Sequence, residues 1–197
     1  MHELPPPDRA TARLNAADSG SPSARLNILE ELPAGAHINI RGPQHDSIFL
    51  QAIGSAIGGS LPLKPNTVEM LVRGAIYWLG PDEWLLVEDS VDTEALLLRI
   101  EQCCSAIPHF GATDVSGNRA RFQLRGPSAR EVLMKGCSLD LDPRAFQAGQ
   151  CAQVALARAG VILHQVDAIP TYRIFPRRSF AEYVWMWLRD AMAEYEG

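Results

Sequence analysis

A chain of 197 residues, 47% hydrophobic and 21% charged, has room for one substantial domain or two small ones and the composition of an ordinary globular protein. Its formal net charge of −5 argues against general binding to nucleic acid, and no apolar run approaches the roughly 20 residues that a membrane helix needs. The N-terminal stretch MHELPPPDRATARLN has no hydrophobic signal core, which implies a cytoplasmic protein.

Residues 1–24 hold Pro5, Pro6 and Pro7 and an Asp18-Ser19-Gly20-Ser21-Pro22-Ser23 stretch. That composition predicts a flexible arm, either a plain tail or a segment that wraps a partner. From Leu26 to Glu30 the chain reads as a strand, and Ala36 to Arg41 as a second one, in which His37 and Asn39 alternate with Ile38 and Ile40. Gly42-Pro43 then opens a helix with Phe49, Ile53, Ala56 and Ile57 on its inner stripe, closed by Gly58-Gly59. Strands follow at Thr67 to Val72, Ala75 to Leu79 and Glu83 to Glu88, the last two joined by the turn Gly80-Pro81-Asp82. Asp92 caps the next helix. Leu96, Leu97, Ile100, Cys103, Cys104 and Ile107 fall on one face of it, so both vicinal cysteines are expected to point inward, with Leu98 on the opposite face.

The second half repeats this order. Strands are expected at 109–115 and 119–125, where Ala120, Phe122 and Leu124 alternate with Arg121, Gln123 and Arg125. Arg119, Arg121 and Arg125 then share one outward face, a solvated surface or a face for an acidic partner. Gly126 breaks the strand, Pro127 takes the first helical position, and Gly136 stops the helix as a left-handed cap. Further strands near 153–158, 161–166 and 171–175 lead to a last helix from about Ser179 to Tyr195. Arg-Gly-Pro recurs at 41–43 and 125–127. The expected fold is therefore α+β, a duplicated β2-α-β3-α unit with halves at about 26–107 and 109–195, forming one domain over 25–197 of antiparallel sheets with outer helices.

No catalytic, cofactor-binding or metal-binding residue emerges from the pattern. Cys103, Cys104, Cys137 and Cys151 lack CxxC or zinc-ligand spacing and read as core residues. His2, His37, His45, His109 and His164 have no paired metal spacing, and no Gly-rich dinucleotide or phosphate loop is present. The basic residues are arginines except for Lys64 and Lys135. That excess suits a protein interface or reflects codon usage alone. On the last helix Phe180, Val184, Trp187, Leu188, Ala191 and Tyr195 form the expected inward stripe, leaving Trp185 and Met186 outside it. Trp185, Met186 and Leu98, with Arg173, Arg177 and Arg178 flanking the last strand, are the candidate partner interface.

Asp114-Val115-Ser116, the run Gly126-Pro127-Ser128-Ala129-Arg130-Glu131-Val132-Leu133 and Asp140-Leu141 resemble the aminomethyltransferase (glycine-cleavage T-protein) family of folate-binding domains. The run from Arg178 to Ala191 looks like one branch of that superfamily, the gamma subunits of heterotetrameric sarcosine oxidase. The resemblance implies a non-catalytic assembly subunit of a cytoplasmic oxidoreductase acting on the CH–NH group of sarcosine. Its partners would be alpha, beta and delta subunits, chiefly the large alpha subunit. FAD, FMN and NAD would lie on the large chains, and tetrahydrofolate or formaldehyde would take the one-carbon unit, with hydrogen peroxide as co-product. The family's folate-contacting acids are missing. Ser60-Leu61-Pro62-Leu63 follows Gly58-Gly59 where the family has carboxylates, and Arg173 follows Tyr172 where it has Glu. The alternatives are a free-standing folate-binding one-carbon transferase and a YgfZ-like folate-dependent maintenance protein. Lys135-Gly136-Cys137 begins the motif of the latter, but Ser138 and Leu139 do not continue it.

Overall fold

The computed structural model describes residues 27–89 and 92–195, so the proposed N-terminal arm lies outside the described residues. Ten strands run in chain order: β1 (Ile28–Glu31), β2 (Ala36–Arg41), β3 (Val68–Leu71), β4 (Gly74–Gly80), β5 (Glu83–Glu88), β6 (Gly111–Asp114), β7 (Phe122–Arg125), β8 (Gln150–Leu156), β9 (Ala159–Asp167) and β10 (Thr171–Pro176). The helices are α1 (Ser47–Ile57), α2 (Thr93–Cys104), α3 (Ala129–Met134) and α4 (Ala181–Met192), with 3-10 turns at Arg178–Phe180 and Ala193–Tyr195 on either side of α4.

The strands form two five-stranded sheets, β1-β7-β10-β9-β8 and β3-β4-β5-β2-β6. Each sheet takes one edge or flanking strand from the other half of the chain. β1 pairs antiparallel with β7, Ile28 opposite Arg125, and β6 pairs antiparallel with β2, Ile38 opposite Asp114. The described residues accordingly divide into two compact units, 27–34 with 117–148 and 153–195, and 35–89 and 92–116 with 149–152. These boundaries differ from halves at 26–107 and 109–195. Two sets of hydrogen bonds fix the exchange locally. The Leu32 N–H donates to the Arg121 carbonyl at 2.8 Å, and the Arg121 guanidinium donates to the Pro33 carbonyl at 2.9 Å. Arg121 is therefore 3% exposed, not on an outward face. In the other unit the Val115 N–H donates to the His37 carbonyl at 2.8 Å, and the His37 N–H donates to Ser116 Oγ at 3.0 Å. Asp114 accepts from the Ser116 N–H at 2.8 Å, so the Asp-Val-Ser motif serves to lock β6 beside β2.

In the second of these units α1 and α2 pack an apolar cluster of Ile38, Ile40, Phe49, Ile53, Ile76, Trp84, Leu86, Leu96, Ile100 and Cys104. Trp84 satisfies its indole N–H on the Pro62 carbonyl at 2.8 Å, which holds the 60–63 loop down on the core. α1 does not begin at Gly42-Pro43. Asp46 is its N-cap, accepting from the Ile48 and Phe49 N–H groups, and Gly58 closes it in a left-handed conformation (φ 69). α2 is capped by Asp92 as its sequence predicts, but Cys103 is exposed and Cys104 alone of the pair is buried. Adjacent helical residues diverge by about 100°, so a narrow core contact admits one of them.

In the first unit Pro127 precedes the N-cap Ser128 instead of occupying the first helical position. The Ser128 N–H is taken by the buried Asn27 side chain at 2.9 Å, tying α3 to the start of β1. Gly136 is not a left-handed cap: the C-cap is Lys135 in right-handed helical conformation. A Cβ on Gly136 would lie 2.5 Å from the Trp187 indole, so close packing of that ring is what requires glycine.

Candidate partner interface

α4 carries two of the residues expected at a partner interface, Trp185 and Met186. Its buried side is Ala181, Val184, Trp185, Leu188, Ala191 and Met192. Trp185 is 4% exposed and meets the Phe122 ring edge-on with centroids 5.2 Å apart. It is a core residue, which overturns its expected place at an interface. The stripe was misplaced because Phe180 and Tyr195 belong to 3-10 turns and do not share the helix's angular frame. Counted from Ala181, Trp185 lies about 60° and Trp187 about 100° from the centre of the buried side, with Met186 nearly opposite it.

The outer side of α4 presents Met186 (56% exposed) and Tyr183 (37%), with Phe180 (42%) in the preceding turn. Spacings of three residues bring successive side chains to one face of a helix. Tyr183 and Phe180 are exposed aromatics that were not among the interface candidates; the three-residue spacing of Tyr183 from Met186 was the available signal. The end of α4 is held by Lys135, whose Nζ donates to the Ala191 carbonyl at 2.5 Å and pairs with Glu194 at 2.7 Å. The hydrogen bond from Lys135 holds the Glu194 carboxyl below its usual range. A cation at a helix C-terminus also complements the macrodipole.

The three candidate arginines lie in different surroundings. Arg173 sits half-buried in mid-β10, opposite Gln123 of β7 and His164 of β9. Gln123 donates to Glu30 of β1 at 2.6 Å, so a polar row crosses four strands. His164 is fully buried, and burial, with Arg173 beside it, pushes its imidazole down to about 3. It stays neutral at physiological pH, a satisfactory state for a core histidine and a poor one for proton transfer near pH 7. Arg177 is exposed and Arg178 half-buried at the entrance of the turn before α4. Arg177 lines a cavity of ≈310 Å³ with Arg119, Gln153, Val154, Ala155, Gly160 and Val161.

Leu98 is 54% exposed on α2, in the other compact unit. That unit has its own cavity of ≈390 Å³, lined by residues including Ser55, Leu71, Val72, Arg73, Glu88 and Arg99. Among the described residues no group of three or more His, Cys, Asp or Glu side chains is arranged to hold a metal ion, and no helix is long and apolar enough to cross a membrane. Cys151 is buried and its thiol pushed up to about 12 by desolvation, so it is inert as a nucleophile.

After Gly58 the 60–63 loop carries no carboxylate, and its Pro62 carbonyl is committed to the Trp84 indole. At the later strand Arg173 follows Tyr172, so a cation stands beside His164.

Among the described residues, two antiparallel sheets with four helices have the fold of an aminomethyltransferase-like domain. The crystal structure of glycine cleavage system aminomethyltransferase T from Bartonella henselae superposes with a TM-score of 0.62 at 14% identity, over 87% of this chain and 47% of that one. A closer likeness narrows the class. A chain of the heterotetrameric sarcosine oxidase from Corynebacterium sp. U-96, in complex with pyrrole 2-carboxylate, superposes with a TM-score of 0.83 at 31% identity, covering 96% of both chains. In sequence, the sarcosine oxidase subunit gamma of Corynebacterium sp. (strain U-96) is 39% identical over 73% of this chain and 69% of its own length. That of strain P-1 is 35% identical over 85% and 80%. Residues 41–194 match the family model described as sarcosine oxidase, gamma subunit family. The chain belongs to the sarcosine oxidase gamma subunit family.

Proposed function

We propose that the chain is a non-catalytic assembly subunit of a flavin-dependent heterotetrameric sarcosine oxidase in the cytoplasm. The observation that carries this reading is the superposition along 96% of both chains on a chain of such an oxidase. The partners are alpha, beta and delta subunits, chiefly the large alpha subunit, and FAD, FMN and NAD reside on those chains together with any use of tetrahydrofolate. The absent carboxylates near Gly59 and the arginine at position 173 count against a free-standing one-carbon transferase.

Within the chain, residues 25–197 form one domain descended from a duplicated β2-α-β3-α unit. Support comes from the sheet orders β1-β7-β10-β9-β8 and β3-β4-β5-β2-β6. Numbering strands within each half turns both into the same order, with the first strand exchanged between halves. Met186, Leu98, Arg177 and Arg178 contribute to partner contact, joined by Tyr183 and Phe180.

The test is co-expression with the other subunits. The complex is expected to be yellow, to oxidise sarcosine with release of peroxide, and to retain this chain through size-exclusion chromatography. The purified chain alone is expected to be colourless and inactive. Stoichiometric flavin absorbance or peroxide formation by the isolated chain would overturn the reading.

A further inference from the structure

The cavity of ≈390 Å³ in the unit that holds α1 and α2 brings together charges of both signs, since Glu88, Arg73 and Arg99 all line it. Glu88 ends β5 and alternates with Leu86 and Trp84, both members of that unit's apolar cluster, so the strand period turns its side chain to the core face. It is half-buried there, opposite Gly74, which has no side chain to cover it. Arg73 comes from the turn between β3 and β4, and Arg99 from α2, beside the buried Ile100. Among the described residues no ion pair joins Glu88 to either arginine, and none of the three is in an ion pair elsewhere.

The last turn of α1 closes another side of the cavity. The Gly58 and Gly59 N–H groups both donate to the Gly54 carbonyl, at 3.0 and 3.2 Å, so neither reaches the carbonyls of Ser55, Ala56 or Ile57. Those carbonyls are the negative end of the helix dipole. Leu71 lies against the bare Cα of Gly59, where an added Cβ would collide with its Cδ2. With Ala56 buried and Ile57 and Leu71 half-buried, this side of the cavity is apolar.

We propose that this cavity binds a free aliphatic α-amino acid as its zwitterion. Arg73 and Arg99 take the carboxylate, Glu88 takes the ammonium, and Ile57 and Leu71 receive the side chain. A simple anion would meet Glu88 and the negative end of α1, and a simple cation would meet two guanidiniums. A ligand that carries both charges a few bonds apart lets each find its opposite. Guanidinium groups also hold a carboxylate in a fork geometry that fixes its orientation. The volume lies within the roughly 300–1,000 Å³ usual for small-molecule sites.

The experiment is calorimetric titration of the full chain with L-leucine and with three compounds that each lack one part of it. These are 4-methylpentanoate without the ammonium, 3-methylbutylamine without the carboxylate, and glycine without the side chain. L-Leucine is expected to bind saturably, and each of the other three about tenfold or more weakly. Glu88→Gln and Arg99→Gln, shown folded by circular dichroism, should each weaken leucine binding about tenfold or more. Arg158→Gln, at an exposed arginine outside the lining, should leave it unchanged. Binding of 4-methylpentanoate as tight as that of leucine would identify an anion site, and equal binding of 3-methylbutylamine a cation site; either overturns the proposal. So would the absence of saturable heat up to about 10 mM leucine, or parental affinity in the folded Glu88→Gln variant.

Discussion

Replacing Trp185 by alanine gives the sharpest check on how α4 is oriented. The indole is 4% exposed and sits edge-on to Phe122 with ring centroids 5.2 Å apart. Truncating a buried tryptophan to alanine removes transfer free energy and leaves a cavity, about 3–5 kcal/mol together. Met186, one residue on, is 56% exposed, and its truncation is expected to stay within about 0.5 kcal/mol. With a urea dependence of about 2 kcal/mol per molar, Trp185→Ala shifts the unfolding midpoint down by roughly 1.5–2.5 M. Met186→Ala moves it by about 0.25 M or less on the same slope. Trp185→Phe should recover most of the loss. It keeps an aromatic ring against Phe122 and removes an indole N–H that is buried without a hydrogen-bond partner, a group with its own desolvation penalty. The assay is urea denaturation of the full chain followed by circular dichroism. A midpoint for Trp185→Ala within about 0.5 M of the parent, or equal effects at 185 and 186, would show that the helix is rotated from the position described.

Two further outcomes follow from the same unit. Gly136→Ala places a methyl 2.5 Å from Trp187, an overpacking expected to cost about 1–3 kcal/mol. Combining it with Trp187→Leu should give less than the sum of the two single losses, and strict additivity in a double-mutant cycle would refute the contact. For His164 the folded-state imidazole is pushed down to about 3, below its unfolded value of about 6.5. The unfolded chain therefore binds the extra proton, so stability is complete above about pH 6.5 and falls as pH drops toward 3, by up to about 1.4 kcal/mol per pH unit. Urea midpoints measured between about pH 7.5 and 5.5 should fall more steeply for the parent than for His164→Asn. Parallel profiles would mean that the histidine is not held neutral by burial.

The chain's own pattern determined what depends on near neighbours. β2 at Ala36–Arg41 and β5 at Glu83–Glu88 have the bounds their sequences predict. Asp92 caps α2, and Gly58 ends α1. Each of these is decided within a turn or a strand's length by side-chain period, a capping oxygen or a missing Cβ. The family motifs were legible for the same reason, as short runs of consecutive residues. Tertiary structure decided the rest. The pairing of β1 with β7 and of β6 with β2 depends on contacts between residues far apart in the chain, and no local period encodes which strand completes which sheet. Arg121 looked outward by alternation, yet the crossing of Pro33 over it supplied a buried carbonyl for its guanidinium. Trp185 and Trp187 lie about 200° apart on a helical wheel, so the choice between them turns on where the buried side is centred. Phe122 on one side and the bare Cα of Gly136 on the other determine which indole is buried and which is half-exposed. The same holds for the paired arginines at 119 and 177. Their chemistry is plain in the sequence, but their common cleft exists because an antiparallel bridge brings the segment before β7 beside the residue after β10.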